Sequence, residues 1–482
     1  MTWMAFGVFR VCSAQQSVET LTVQKEAAQN SVVGRVLIDS YHAHNFLHRG
    51  LRPKEYSYHC YSALRRAADL LKRRGCEVSE LLVGPITEDH LENVDLYVLN
   101  LPSMDRPPLL VEEVIALENF VRAGGGIVFV TDHSNCYYHQ YSLLPLWHAL
   151  GLIPTFETVC VRSKVGRLSH TGNAWVVLRD FLEHPVTSGL RQVAFQTGGR
   201  VVGKGAVAFT EADAWADAGA TPLYGEGNIG LYGDLQFSAS EESGRQAMVL
   251  ARSIGQGRVV VIADQNAVGD AAIAYADNWK LWLNACRWAG SLKYRSSAAT
   301  DSQWQVICYE PLGVKKTAVE GPQRLYDWGA QDPDQYHYLW VWMNRRRWVA
   351  CNDQVDVPPE YSADRTLAFI ESRRLGDERA RGLAAQVIAS EGVLVVLGEL
   401  KKLDVLFDGQ PMRPSSVQRF EWPELLDVAS YALSEKQASY PVLIHVQNPE
   451  SLTNAAFPEP GTQPSTEQAQ LQETLNRFMD SL

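Results

Sequence analysis

Short apolar runs that end in polar clusters recur along the first part of the chain. The clearest run, residues 124–130, passes from three glycines into Ile-Val-Phe-Val and is followed by the polar stretch 131–135. A continuous apolar run of this length is typical of a strand buried on both faces, as in a parallel sheet. Residues 257–262 repeat the pattern and are followed by Asp264 and Asn266. Because ligands of open α/β sheets bind beyond the carboxyl ends of the strands, this pattern predicts a site at that edge.

Segments with helical spacing of apolar residues alternate with these runs. Strands are predicted at residues 32–39, 77–83, 94–99, 124–130 and 257–262, and helices at 61–74, 107–123, 143–150 and 277–289. Such an alternation is typical of parallel strands joined by right-handed helical crossovers. The sequence therefore predicts an α/β fold with a doubly wound, mostly parallel sheet.

Changes in composition divide the chain into four parts. Residues 1–31 are a polar lead-in, and residues 32–290 are the α/β domain, with an irregular, glycine-rich insertion at about 155–255. A boundary near residue 291 introduces a second, smaller α/β or α+β domain over 291–454. Its predicted strands lie at 305–309, 338–349, 365–371, 393–397 and 441–446. Residues 455–482 form a proline-rich connector and a C-terminal helix.

Composition narrows the classes of partner and cofactor. The net charge of −11 argues against a surface for nucleic acid or anionic membranes. No apolar run reaches the roughly 18–20 residues that a membrane span needs. Eight scattered cysteines without a Cys-x-x-Cys pair favour reduced thiols and the cytoplasm, while export through a weak or truncated signal peptide at residues 1–16 stays open. The glycine clusters at 198–205 and 225–230 do not lead from a strand into a helix, so no nucleotide cofactor is expected.

Imidazoles and carboxylates follow the predicted strands where the strand ends converge. Asp39, His42 and His44 follow the first strand, and His133 follows the fourth. This set suits a divalent metal such as zinc or iron, and a bound metal makes its water acidic enough to supply a nucleophile near neutral pH. The first hypothesis is therefore a metal-assisted hydrolase that acts on a small polar or sugar-like substrate.

The same hypothesis assigns roles to the neighbouring polar residues. Catalysis is assigned to Asp132, His139 and Asn135, and substrate contacts are assigned to Asn45, Tyr56, Tyr58, Asp264 and Asn266. The tyrosines flank the histidine-rich loops, and small-molecule sites commonly have apolar walls with a few polar groups.

Other interpretations of these residues stay open. Aspartates and histidines at strand ends also cap helices and tie loops to backbone amides, which would make the cluster a structural network. Cys136, between His133 and His139, is a candidate thiol nucleophile, whereas Ser134 lacks the flanking glycines of a nucleophile elbow. A different class of function is a non-catalytic ligand-binding or scaffolding module, with the second domain contacting a protein partner or a second copy.

Several segments together resemble a known bacterial group. These segments are Val36–Asp39, Gly124–His133, His184–Leu190, Gly255–Asp264 and the pair Arg287-Trp288. They resemble glutamine-amidotransferase-like domains of flavodoxin-like topology, including relatives of the ThuA family, over residues 32–290. Amidotransferases of this group carry a cysteine in a Gly-x-Cys-x-Gly elbow after the strand that here ends near Val130. Asp132 and His133 occupy that place, so the resemblance implies the fold but not glutaminase activity.

Overall fold

The computed structural model of the chain describes residues 32–44, 64–163, 173–219, 233–269 and 276–295, together with Ile273 and shorter segments between 304 and 481. The predicted lead-in at 1–31 and the predicted substrate residues Asn45, Tyr56 and Tyr58 lie outside the described residues.

The first part of the chain forms an eight-stranded mixed sheet and two smaller antiparallel sheets. In the eight-stranded sheet the strand order is β2-β1-β3-β4-β13-β12-β9-β7, and the first five of these strands run parallel. The order of those five is that of flavodoxin-like sheets. The strands are β1 (Arg35–Asp39), β2 (Glu77–Leu81), β3 (Leu96–Asn100), β4 (Gly126–Val130), β5 (Glu157–Val161), β6 (Trp175–Leu178), β7 (Asp180–Phe181), β8 (Val193–Gln196), β9 (Ala206–Phe209), β10 (Ala214–Ala218), β11 (Glu242–Ser243), β12 (Ala247–Ile254) and β13 (Gly257–Ile262).

Helices cover both faces of the parallel strands. They are α1 (Arg65–Arg73), α2 (Glu88–Leu91), α3 (Val111–Arg122), α4 (His139–Leu150), α5 (Gln265–Val268) and α6 (Asn278–Ala289). Alternate residues of β4 enter different cores: Val128 and Val130 pack with α1 and α6, whereas Ile127 and Phe129 pack with α3 and α4. Burial on both faces explains why the sequence of this strand is continuously apolar.

The glycines before β4 and β13 are required by close packing. A Cβ atom at Gly126 would lie 2.3 Å from the carbonyl group of Ala289, at the end of α6. A Cβ atom at Gly257 would lie 2.1 Å from the carbonyl oxygen of Val121, in α3. Both glycines therefore let a helix end approach the beginning of a strand.

The region predicted as an irregular insertion contributes to the main sheet. Strands β9 and β12 lie within it and extend the parallel strands in antiparallel register, and β7 forms the sheet edge. Other strands of the region form the sheets β11-β10-β5 and β6-β8. Most of these strands have two to five residues, which is too short for a clear periodic signal in the sequence.

The C-terminal part contains a six-stranded parallel sheet, ordered β15-β14-β16-β17-β19-β18. Its elements are β14 (Trp304–Cys308), β15 (Val349–Asn352), β16 (Arg365–Glu371), β17 (Val393–Leu397), β18 (Gln418–Glu421), β19 (Val442–Val446) and α7 (Glu378–Ala389), and α8 (Thr466–Ser481) follows them.

One predicted strand in this part, 338–349, is wrong at its first described residues. Tyr338, Leu339 and Trp342 are helical and Val349 begins a strand, while the other residues of this range lie outside the described structure. Trp342 packs edge-on against Phe457, with 5.8 Å between ring centroids. A contact this distant in sequence outweighs the local strand preference of an aromatic run.

Within the described residues, no helix has the length and apolar character needed to cross a membrane.

Candidate functional site

The carboxyl end of β1 carries a closed network around Asp39. This fully buried carboxylate accepts hydrogen bonds from the amides of Tyr41 and His42, each at 2.8 Å, from His42 Nδ1 at 2.7 Å and from the Tyr97 hydroxyl. On the other side of the ring, His42 Nε2 lies 3.2 Å from Glu113 Oε1. Burial favours the neutral imidazole, but the two carboxylates outweigh it and raise the pKa of His42. His42 is thus a buried bridge between two acids.

His44 does not share a site with His42. Its ring stacks on Tyr137, with 3.5 Å between ring centroids, and its Nδ1 lies 3.7 Å from Asp105 Oδ1. Residues two positions apart face the same way only in an extended chain, but the backbone bends at residues 41–42. Among the described residues, no group of three or more acidic, histidine or cysteine residues with donor atoms within 4.8 Å of one another contains Asp39, His42 or His44. The predicted metal set of Asp39, His42, His44 and His133 is therefore not brought together.

The turn after β4 brings together a different set. One donor atom each from Asp132, His133 and Cys136 lies within 4.8 Å of the others, and all three residues are buried. Burial and the neighbouring His139 lower the pKa of His133 to about 3, so its imidazole is neutral. Burial and the charge of Asp264 raise the pKa of Asp132 well above its usual value. Burial, Asp132 and Asp264 likewise raise the pKa of the Cys136 thiol, which is the opposite of nucleophile activation.

His139 is committed to internal hydrogen bonds where α4 begins. Its Nδ1 donates to the carbonyl of Cys136 at 2.8 Å, and its Nε2 accepts from the side chain of Gln140 at 3.1 Å and from the amide of Asp132 at 3.4 Å. Burial lowers the pKa of His139 to about 4. Asn135 Oδ1 accepts the Gln140 amide at 3.0 Å. The residues predicted as catalytic are therefore neighbours, but they are buried and hold the turn together.

The carboxyl end of β13 is covered by the segment that follows β8. Asp264 accepts hydrogen bonds from the amides of Asn266, at 2.7 Å, and Gln196, at 2.5 Å, and Asn266 Nδ2 donates to the Gln196 carbonyl at 2.9 Å. A Cβ atom at Gly199 would lie 2.7 Å from the Asp132 carbonyl oxygen, so this segment lies directly against the sheet edge. Burial raises the pKa of Asp264 to about 7. The side chains of Asp264 and Asn266, which were predicted to contact substrate, thus form hydrogen bonds to the backbone.

One fully buried residue at the same edge is not accounted for by these networks. Asn100 is the last residue of β3, one position beyond Leu99, which is the register partner of Asp39. Neither Oδ1 nor Nδ2 of its amide has a hydrogen-bond partner in the described structure, and Asn135 Nδ2 also lacks one. Asn100 is absent from the residues predicted from the sequence, although it ends an apolar run in the same way as Asp39 ends β1.

A small cavity of about 20 Å³ lies at one side of the edge. Thr131, Gln140, Trp147, Thr155 and Arg200 are among the residues that line it. None of the residues predicted as catalytic or metal-binding lines this cavity.

Comparison with known proteins finds similarity in structure alone. No protein-family model matches the chain, and no curated protein matches its sequence. Among solved structures, the chain is similar to the mmIFT52 N-terminal domain (13% identity, TM-score 0.37, covering 54% of this chain and 99% of that chain). It is also similar to a ThuA-like protein from Parabacteroides merdae (14%, TM-score 0.31, 56% and 94%) and to a GMP synthase subunit from Thermoplasma acidophilum (8%, TM-score 0.25, 53% and 95%). These coarse similarities assign no activity.

Proposed function

We propose that residues 32–295 form a non-catalytic module that binds a small polar ligand at the carboxyl ends of β1 and β3. The observation that carries the proposal is the fully buried amide of Asn100, for which the described residues offer no hydrogen-bond partner. A buried polar group without a partner costs about 1–3 kcal/mol, and such groups are few in native proteins. A ligand that offers both a donor and an acceptor removes this cost.

The position of Asn100 supports a ligand site. In the strand order β2-β1-β3-β4-β13, the crossover direction reverses between β1 and β3. Flavodoxin-like sheets bind their ligands at this switch point, where the loops diverge and leave a crevice. Asp39 ends one of the two strands at this switch point and Asn100 ends the other.

The neighbouring residues favour binding over catalysis. A general base has to reach the proton that it removes, but His139 uses both ring nitrogens within the protein and His42 faces a carboxylate on each side. Since His42 offsets only one of the two carboxylate charges of Asp39 and Glu113, the site disfavours an anion and suits a neutral ligand that offers both a donor and an acceptor. Sugars, nucleosides and primary amides combine donors and acceptors in this way.

The experiment is a thermal-shift screen of the full chain with monosaccharides, disaccharides, nucleosides and primary amides, comparing wild type with Asn100→Leu. Asn119→Leu, at an exposed position of α3, is the matched control. Leucine is close to asparagine in size and removes an unsatisfied group, so Asn100→Leu is expected to be about 1–3 kcal/mol more stable without ligand. It is also expected to lose the ligand-induced shift that wild type and Asn119→Leu retain.

Three results would contradict the proposal. They are a wild type that no compound stabilises, an Asn100→Leu variant that keeps the full shift, and an Asn100→Leu variant that is strongly destabilised without ligand. The last result would mean that the amide of Asn100 is satisfied within the protein.

A second candidate is the metal-assisted hydrolase, now centred on Asp132, His133 and Cys136. The observation that favours it is the closeness of their donor atoms, together with the neutral imidazole of His133. Carboxylate, imidazole and thiolate are ligands of zinc and iron, and such a metal would act as a Lewis acid or activate a water. Metal content distinguishes this candidate from the binding module.

A further inference from the structure

A second cluster of acidic residues lies beside β10. Asp217 belongs to this strand, and Asp234 and Glu241 belong to the segment between residues 233 and 241. One carboxylate oxygen from each residue lies within 4.8 Å of the others. Among the described residues, none of the three carboxylates forms an ion pair with a lysine or arginine.

Asp217 is the unusual member of the cluster. Its side chain is fully buried, yet neither carboxylate oxygen has a hydrogen-bond partner of normal geometry in the described structure. The backbone of Leu235 and the carboxyl group of Glu241 lie beside it. A buried carboxylate without a partner is strongly unfavourable.

The nearby amides do not relieve Asp217, because they bind the more exposed acids. The amides of Ala218 and Ser238 donate to Glu241 at 3.0 and 2.7 Å, and the amide of Gln236 donates to Asp234 Oδ1 at 2.8 Å. These bonds fix two carboxylates around the third. The arrangement gathers negative charge at one point without a counter-charge from the described protein.

Gly233 brings backbone directly against the same carboxylate. A Cβ atom at this position would lie 2.2 Å from Asp217 Oδ2 and 2.6 Å from the carbonyl oxygen of Ala218. The absence of a side chain therefore leaves room for two kinds of oxygen, carboxylate and carbonyl, to lie side by side.

We propose that Asp217, Asp234 and Glu241 bind a calcium ion. Calcium takes six to eight oxygen ligands from carboxylates, backbone carbonyls and water in flexible geometries, whereas magnesium requires a nearly ideal octahedron. Three carboxylates and the Ala218 carbonyl supply this chemistry. The ion offsets two of the three negative charges and gives the buried carboxylate of Asp217 a partner.

The test is calorimetric titration of the chelator-treated full chain with calcium chloride, with thermal unfolding as a second readout. Wild type is expected to bind one calcium ion per chain and to unfold at a higher temperature with calcium. Asp217→Asn is expected to lose affinity by about tenfold or more, because it removes a charged ligand. Glu92→Gln, which removes one negative charge at an exposed position, is the control and is expected to bind as wild type does.

Thermal unfolding without calcium separates loss of the site from loss of the fold. Asp217→Asn removes repulsion within the cluster, so without calcium it is expected to be at least as stable as wild type. Absence of calcium binding by wild type would overturn the proposal. Equal calcium affinity of Asp217→Asn and wild type would overturn it as well.

Discussion

At the scale of single residues, the pairing of each buried polar group decides its role. Asp39 is the last residue of β1. The apolar pattern correctly located it at the same sheet edge as Asp132 and Asp264. The distant members of its network could not be predicted, because Tyr97, which donates to Asp39, and Glu113, which lies beside His42, come from other elements. The separate roles of His42 and His44 could not be predicted either, because a bend in the backbone directs the two rings to different neighbours.

Replacement of His42 measures the structural network directly. His42→Ala leaves the carboxylates of Asp39 and Glu113 buried without their shared cation, so we expect a loss of about 3–5 kcal/mol in unfolding free energy. His44→Ala is the control, and its loss is expected to stay below about 1 kcal/mol because Asp105 is largely exposed. Denaturant unfolding of the full chain provides both values. Similar losses in the two variants would contradict the bridging role of His42.

At the scale of elements, the sequence predicted strands better than the turns between them. Strands β1, β3, β4 and β13 lie within one or two residues of the predicted carboxyl ends, because buried parallel strands are marked by continuous apolar runs. Helix α4 begins at His139 rather than at residue 143. Tyr137 and Tyr138 adopt positive φ angles of 53° and 60°, and this sharp turn has no clear mark in the sequence. The early helix start is what places His139 under the strand end.

The burial of His139 in the turn between β4 and α4 predicts how the stability of the protein depends on pH. Burial holds the pKa of His139 near 4, below the value of 6.5 for a free imidazole. Between these two values the unfolded chain binds a proton at His139 that the folded chain does not bind. The contribution of His139 to the unfolding free energy is therefore complete above pH 6.5 and is lost as the pH falls towards 4. Between pH 7 and pH 5 the loss from this group is about 2 kcal/mol.

The unfolding free energy of His139→Gln, measured at pH 7 and at pH 5, tests the direction of this pH dependence. The variant is expected to be less stable at both values but to show a smaller difference between them than wild type. His148→Gln is the control, because His148 is exposed near the end of the same helix. An equal pH difference in His139→Gln and wild type would show that His139 does not titrate as described.

At the scale of the whole molecule, the sequence indicated two strand-rich parts but not how their strands pair. The apolar runs at β16 and β17 were predicted at their observed bounds, yet the six-strand order depends on pairings between residues up to 61 positions apart. The same difficulty concealed the pairing of β9 and β12, which join the main sheet from within the region predicted as irregular. Strand order is a tertiary property, since it depends on which surfaces bury each other.

The metal content of the whole protein separates the two candidate functions. The binding module predicts no stoichiometric zinc or iron in the full chain purified without chelators, because the turn after β4 is held by internal hydrogen bonds. Plasma mass spectrometry measures this, with His133→Ala and the exposed-site control His148→Ala alongside. One zinc or iron per chain, lost in His133→Ala alone, would favour the metal-assisted hydrolase instead.

The most direct measurement is a crystal structure of the full chain with the compound that gives the largest thermal shift. We expect the compound between the carboxyl ends of β1 and β3, with its polar atoms about 2.7–3.2 Å from Oδ1 and Nδ2 of Asn100. A compound bound elsewhere, or an Asn100 amide bonded only to protein atoms, would contradict the proposed binding module.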